Sequence, residues 1–138
     1  MKKTGCITLA AILCVLLFSG CANWGVQTQK TANELVVALK EKGFPMETII
    51  EYDAASDTSG LLGKPNQYTS KARFSDNRLE QTMGKENPFG GTIEVFSNGK
   101  DAKARFEFLD GSTGPNSILR QYYYLKGNVV LRIDRGLA

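Results

Sequence analysis

Histidine is absent from this 138-residue chain, and its three cysteines all lie within the first 21 residues. Without imidazole the chain can form neither a Ser-His-Asp triad nor a Cys-His pair, and no histidine is available as a metal ligand. Because no thiol follows Cys21, no disulfide can staple the remainder of the chain, and its stability must come from packing.

Net charge is also small once the first 20 residues are set aside. Those residues contain Lys2 and Lys3 and no acid, which leaves 15 basic and 14 acidic side chains in the rest of the chain. Because these charges nearly cancel, the chain has no basic field of the kind that attracts nucleic acid, and we predict no nucleic-acid partner.

One glycine-rich segment superficially resembles a phosphate-binding loop. In residues 60–64 (GLLGK) only two residues separate the glycines, whereas the phosphate-binding motif has four, and Pro65 follows where that motif has Ser or Thr. We therefore predict an irregular turn at this segment and no cofactor.

Two oxygen-rich clusters, at residues 53–59 and 76–80, have residue types that bind Ca²⁺. Neither has the alternating acids and central glycine of an EF-hand loop, so we predict no metal and interpret Asp53, Asp57 and Asp76 as solvated loop residues or caps. An enzyme without histidine would need a carboxylate of raised pKa as its general base. The pattern singles out none, so it nominates no catalytic residue.

The N-terminus has the arrangement of a secretory signal. Lys2 and Lys3 precede an uninterrupted run of 13 uncharged, mainly apolar residues, Cys6 to Phe18, and the small residues Ser19 and Gly20 follow. The run is short for a membrane span, which needs about 20 apolar residues.

The segment Phe18-Ser19-Gly20-Cys21 resembles the lipobox of bacterial lipoproteins, with Phe18 where that family usually has Leu or another aliphatic residue. The resemblance implies a signal peptide over residues 1–20, an acyl chain (palmitate) on the Cys21 thiol, and a protein anchored at the extracytoplasmic face of the cell membrane. Two alternatives are an ordinary secretory signal cut near Ala22 and an uncleaved anchor. Neither accounts for a cysteine at this position.

The chain after the signal divides into a lipidated cysteine with a short tether (residues 21–29) and one domain (residues 30–138). Trp24 in the tether is placed either at the level of the lipid headgroups or back on the domain. We find no internal repeat, low-complexity tract or second linker, so the sequence predicts a single domain after the tether.

Two helices are predicted within that domain. The first begins at Thr31, which forms a capping box with Glu34, and ends before Gly43 and Pro45. Its apolar stripe has helical spacing: Ala32, Leu35, Val36 and Leu39. The second follows its cap Asn98 and turns an apolar stripe inward: Ala102, Phe106 and Leu109.

Strand patterns complete the fold. Strands are predicted at 48–53, 68–75 (with one wet face) and 91–96, followed by a hairpin over 120–134 that turns at Gly127-Asn128. The order α-β-β-β-α-β-β predicts an α+β fold, in which a mainly antiparallel sheet of about five strands carries two helices packed on one face. In the hairpin, Tyr122 and Tyr124 are predicted to face the core.

This order also predicts where the ends of the domain lie. The start of the first helix, the tether and the 54–67 loop share one end. The 76–90 loop, which contains Phe89, and the 110–118 connection share the opposite end. Long loops are often functional, so we expect an envelope protein partner to bind there.

The leading functional hypothesis is a non-catalytic, lipid-anchored domain with a binding or envelope-structural role, and the alternative is an extracytoplasmic hydrolase that uses loop carboxylates. Residues 60–68 (GLLGKPNQY) and 127–132 (GNVVLR) vaguely resemble parts of small secreted bacterial domains of unknown role. This second resemblance implies no function.

Overall fold

The computed structural model describes residues 25–81, 87–112 and 121–135. Cys21, Trp24 and the whole predicted signal lie outside these ranges, as does much of the two loops expected to bind a partner. Within the described ranges, no helix combines the length and the apolar character that crossing a membrane requires.

The elements follow the predicted order α-β-β-β-α-β-β, and the fold is α+β. Their bounds are α1 Ala32–Glu41, β1 Met46–Glu51, β2 Tyr68–Asp76, β3 Gly90–Phe96, α2 Gly99–Ser112, β4 Gln121–Lys126 and β5 Val129–Asp134. All five strands form one antiparallel sheet in the order β1-β2-β3-β5-β4.

Both helices begin at the caps that the sequence predicts. The Thr31 side chain accepts a hydrogen bond from the backbone N–H of Glu34, whose carboxylate accepts from the backbone N–H of Thr31 at 2.7 Å. At α2, the Asn98 side-chain oxygen accepts from the backbone N–H of Asp101 at 2.9 Å. Each cap satisfies N–H groups that have no partner within the helix, which fixes where the helix starts.

The hairpin of β4 and β5 has the predicted register. Tyr124 lies opposite Leu131 and Tyr122 lies opposite Ile133, with Gly127 in the turn at φ +58°. A positive φ is costly for a residue with a Cβ, so a glycine in this turn fixes the pairing of the two strands.

The two helices do not share a face of the sheet, contrary to the prediction. The helix α1 packs on alternate residues of one face, among them Ala72, Ile93 and Val95. The helix α2 packs on the other face, against Phe96 and Val130. Because every residue of β3 is buried, both faces of the central strand need a cover, and one helix on each face provides it.

The predicted wet face of β2 is correct at Thr69, which is exposed, and wrong further along the strand. Lys71, which was assigned to that face, is only 8% exposed, and Ser75 is 4% exposed. This side of the strand lies on the α2 face and is occupied by buried polar side chains rather than by water.

The structure agrees with the predicted ends for the start of α1 and for the 76–90 loop, whereas residues 113–118 of the second distal connection lie outside the described ranges. At one end, Ala32 N–H donates to the Ser70 hydroxyl at 2.8 Å, which holds the start of α1 beside the start of β2. At the opposite end, Asp76 N–H donates to the Phe89 carbonyl at 2.9 Å, and Gly90 N–H donates to Asp134 at 2.8 Å.

Candidate functional site

Asp57 is a buried hub rather than the solvated loop residue that the sequence predicted. Its side chain is fully buried, and it accepts hydrogen bonds from Lys71 Nζ, the Tyr68 hydroxyl and the Ser59 hydroxyl, each at 2.7 Å. The backbone N–H groups of Leu61 and Leu62 donate to the same carboxylate at 3.0 Å.

The glycine-rich segment therefore directs two of its N–H groups to a carboxylate of its own chain. Residues 61–67 form an irregular series of turns, as predicted. Because Asp57 takes up donors that a phosphate would need, this segment does not resemble an anion site.

The protonation states at this hub follow from burial and hydrogen bonding. Burial alone raises the pKa of Asp57, but hydrogen bonds from Lys71, Tyr68 and Ser59 outweigh it and hold the pKa well below the ordinary value. Burial, together with the nearby carboxylate, raises the pKa of Tyr68 to about 12. At neutral pH Asp57 is charged and Tyr68 is protonated, so neither is poised for proton transfer near pH 7.

A second buried carboxylate, Glu94 of β3, joins α2 to the sheet. Its side chain is fully buried, and it accepts from Arg105 of α2 at 2.9 and 3.1 Å and from Arg132 of β5 at 3.0 Å. An unpaired buried charge is costly, so the two guanidinium groups stabilise the charged form of Glu94 inside the protein.

A third carboxylate, Asp134, continues the row of charges to the opposite end of the sheet. Arg73 donates to it at 2.8 Å, and Gln121 connects it to Arg132, whose guanidinium donates to the Gln121 oxygen at 2.8 Å. Within the described ranges, every buried side-chain nitrogen or oxygen has a hydrogen-bond partner. This row of charges is fully satisfied and acts as a polar core between β2, β3, β5 and α2.

The described carboxylates give the hydrolase alternative no support. Hydrogen bonds from Ser56 lower the pKa of Asp53, and Arg78 lowers that of Asp76, whereas a general acid needs a raised pKa. Asp76 begins a turn at residues 77–78 rather than a helix. In the described part of the chain, no three acidic side chains are grouped closely enough to hold a metal ion.

An apolar groove of about 560 Å³ lies on the α1 face. The helix α1 contacts β1, β2 and β3, whereas the side chains that β5 directs to this face are only partly buried, and the groove runs between the helix and the β4–β5 hairpin. Its floor and walls are formed mainly by aliphatic side chains: Leu35, Leu39, Ile93, Val129 and Leu131. We name this feature the α1–hairpin groove.

The rim of the α1–hairpin groove is cationic. Lys30, Lys42 and Lys126 line it, and none of its twelve lining residues is acidic. Among the described residues, none of these three ammonium groups forms an ion pair. The groove therefore combines an apolar interior with unneutralised positive charge.

The tyrosines of β4 contribute to this surface and correct another prediction. Tyr122 is 37% exposed and Tyr124 is 55% exposed, with Tyr124 lining the groove. They face the side that α1 leaves uncovered, so the predicted alternation was right and the predicted core position was wrong. Tyr123, on the other face, packs with the core beneath α2.

One wall of the groove is formed by residues 25–30, which we call the strap. Asn128, at the tip of the hairpin, accepts from Thr28 N–H at 2.8 Å and donates to the Thr28 carbonyl at 3.1 Å and the Phe96 carbonyl at 2.7 Å. The strap residue Val26 is 89% exposed and lines the groove. The predicted tether is thus held on the domain at Thr28.

Sequence reasoning directed attention to the opposite end of the domain. Of the loop expected there, residues 77–81 and 87–89 are described, and the half-buried Phe89 is tied through its backbone to Gln81. The signal for the groove was present in α1, where positions 35, 38, 39 and 42 share helical spacing. From the sequence alone, these groove positions cannot be distinguished from the core-facing positions of α1, because the distinction depends on which strands α1 covers.

Comparisons of the chain with protein-family models, with curated proteins and with solved structures find no match.

Proposed function

We propose that the protein is a lipid-anchored extracytoplasmic domain with a non-catalytic binding or envelope-structural role, attached to the cell membrane through Cys21. The observation that carries the proposal is the placement of an open apolar groove beside the strap, which leads back along the chain to Cys21. The saturated polar core supports a structural rather than catalytic use of the buried charges.

The physical basis of the anchor is the transfer of acyl chains into the bilayer. Burial contributes about 0.8 kcal/mol per methylene, and a single chain holds a protein only marginally, whereas two or three chains hold it durably. If the anchor has one acyl chain, a second contact between the domain and the bilayer would increase the affinity of the protein for the membrane.

The test of the anchor uses Cys21→Ser in the full chain, with Cys14→Ser as the matched control. We expect Cys21→Ser to lose the metabolic palmitate label and to be depleted from the membrane fraction, and Cys14→Ser to retain both the label and the membrane association. Label that persists in Cys21→Ser would refute the assignment, as would a native protein with a bare Cys21 thiol by mass spectrometry.

A further inference from the structure

We propose that the α1–hairpin groove and its lysine rim form the surface with which this domain rests on a bilayer containing anionic phospholipid. In this arrangement the ammonium groups of Lys30, Lys42 and Lys126 contact lipid phosphates. The side chains of Val26 and Tyr124 enter the interfacial layer. The location of the bilayer rests on the proposed lipid anchor.

Charge favours this face over the face covered by α2. The groove is lined by three lysines and no acid. On the exposed surface of α2, Lys100 and Lys103 are balanced by Glu107 and Asp110. The acids on α1 do not line the groove, and Glu34 is held in the capping box. An anionic surface therefore attracts the groove face more strongly than the α2 face.

The exposed side chains at the groove also suit an interface between lipid and water. Val26 is aliphatic and almost fully exposed, and Tyr124 has a half-exposed ring that carries a hydroxyl. Aromatic rings with one polar end are enriched at the headgroup level of membranes. Lysines around an apolar surface are the pattern of proteins that lie on, rather than across, a bilayer.

Chain length brings this face to the membrane. Val26 is the fifth residue after Cys21, so a fully extended chain spans at most about 18 Å between them. Because Thr28 is held by Asn128, the chain has no further slack. A tether of this length allows the rim lysines to come within roughly one Debye length of the bilayer surface, about 8–10 Å, where their attraction to anionic lipid is only partly screened.

The experiment uses the full chain in vesicles of phosphatidylcholine, alone or mixed with phosphatidylglycerol. Surface lysines are labelled with a membrane-impermeant amine reagent and quantified by mass spectrometry. We expect labelling of Lys30, Lys42 and Lys126 to fall roughly fivefold or more in the anionic vesicles and to recover in high salt. Lys64 and Lys100, which lie elsewhere, should label equally in both vesicles.

The matched variants are two sets of three exposed lysines. The change of Lys30, Lys42 and Lys126 to Gln should remove the dependence on anionic lipid, measured as the difference between the two vesicles in labelling of the groove residue Tyr124 by a water-soluble tyrosine reagent. The change of Lys64, Lys100 and Lys103 to Gln should leave that dependence intact. Because all six side chains are exposed, both variants should fold.

The outcomes separate this proposal from the anchor. A chain that floats with both vesicles but shows equal labelling of the rim lysines overturns the proposal and leaves the anchor standing. A chain that floats with neither kind of vesicle refutes the lipid anchor. A chain that floats only with anionic vesicles supports lipid binding by the groove and refutes the anchor. Protection that needs no vesicle and rises with protein concentration assigns the groove to a second copy and overturns the lipid proposal.

Discussion

Lys71 Nζ lies 2.7 Å from Oδ1 of Asp57, and the Asp57 side chain is completely removed from solvent. The pair joins the long connection between β1 and β2 to the α2 face of the sheet. Lys71 Nζ also lies 4.6 Å from the centre of the Tyr52 ring, so the ammonium group makes a cation–π interaction in addition to its ion pair with Asp57. Removal of either charge would leave the other buried and uncompensated.

The first prediction is that Asp57→Asn strongly destabilises the domain. The amide cannot neutralise Lys71, and breaking a buried ion pair from one side costs about 3–5 kcal/mol. The measurement is the free energy of unfolding from urea titration followed by circular dichroism.

The control is Asp53→Asn in the same connection. Asp53 is exposed and accepts from the backbone N–H groups of Ala55 and Ser56, so its loss should cost only about 1 kcal/mol. An Asp57→Asn variant no less stable than Asp53→Asn would show that the buried pair does not hold this connection.

The second prediction concerns alkaline pH and Tyr68. In the folded protein its pKa is raised to about 12, against 10.0 for an ordinary tyrosine. The folded state therefore keeps its proton at pH values where the unfolded state has lost it. The resulting stability is fully present below pH 10 and is lost as pH rises from 10 toward 12, by an amount of the order of 2 kcal/mol.

The variant Tyr68→Phe isolates this contribution. It keeps the ring that packs edge-on against Phe96 and removes the ionising hydroxyl. The fall in unfolding free energy between pH 10 and 12 should be shallower in Tyr68→Phe than in the native chain. Equal slopes would mean that Tyr68 does not titrate differently in the two states.

The sequence predicted most of the fold because local signals determine it. The Thr31 box, the Asn98 cap and the Gly127-Asn128 turn each depend on a few neighbouring residues, and all three are confirmed. The placement of α2 on the opposite face is a relation between distant segments. The alternation in β2 was misread because Lys71 is a polar residue whose partner, Asp57, is supplied from outside the strand.

The groove was missed for the same reason. It exists because α1 is too narrow to cover five strands and lies over β1, β2 and β3. Which strands remain uncovered depends on the sheet order β1-β2-β3-β5-β4, and no local pattern encodes that order. Tyr122 and Tyr124 are placed in the core by alternation alone, yet they lie where the cover ends.

The third prediction is that Glu94→Gln loosens α2. Both Arg105 and Arg132 would lose their buried counter-ion, which should cost about 3–5 kcal/mol. Urea unfolding should report this loss, and amide exchange should rise along α2 before it rises along β2. The control Glu107→Gln removes an exposed pair with Lys103 on the same helix at 3.4 Å, worth less than about 0.5 kcal/mol. Similar effects of the two changes would contradict the role given to Glu94.

The fourth prediction concerns the attachment of the strap. In Asn128→Ala, the Thr28 N–H, the Thr28 carbonyl and the Phe96 carbonyl all lose the hydrogen bond that the Asn128 side chain makes with them. We expect a loss of about 1–3 kcal/mol together with much faster hydrogen exchange of the Thr28 amide.

A second variant tests the same attachment by steric means. A Cβ on Gly127 would meet the Val26 carbonyl oxygen at 2.5 Å, and the residue has φ +58°. Gly127→Ala should therefore also speed exchange at Thr28. Asn77→Ala, at an exposed position of the opposite end, should leave it unchanged. If the Thr28 amide stays equally protected in Asn128→Ala and Gly127→Ala, the strap is held by something other than the hairpin tip. In that case the strap would still line the α1–hairpin groove in both variants.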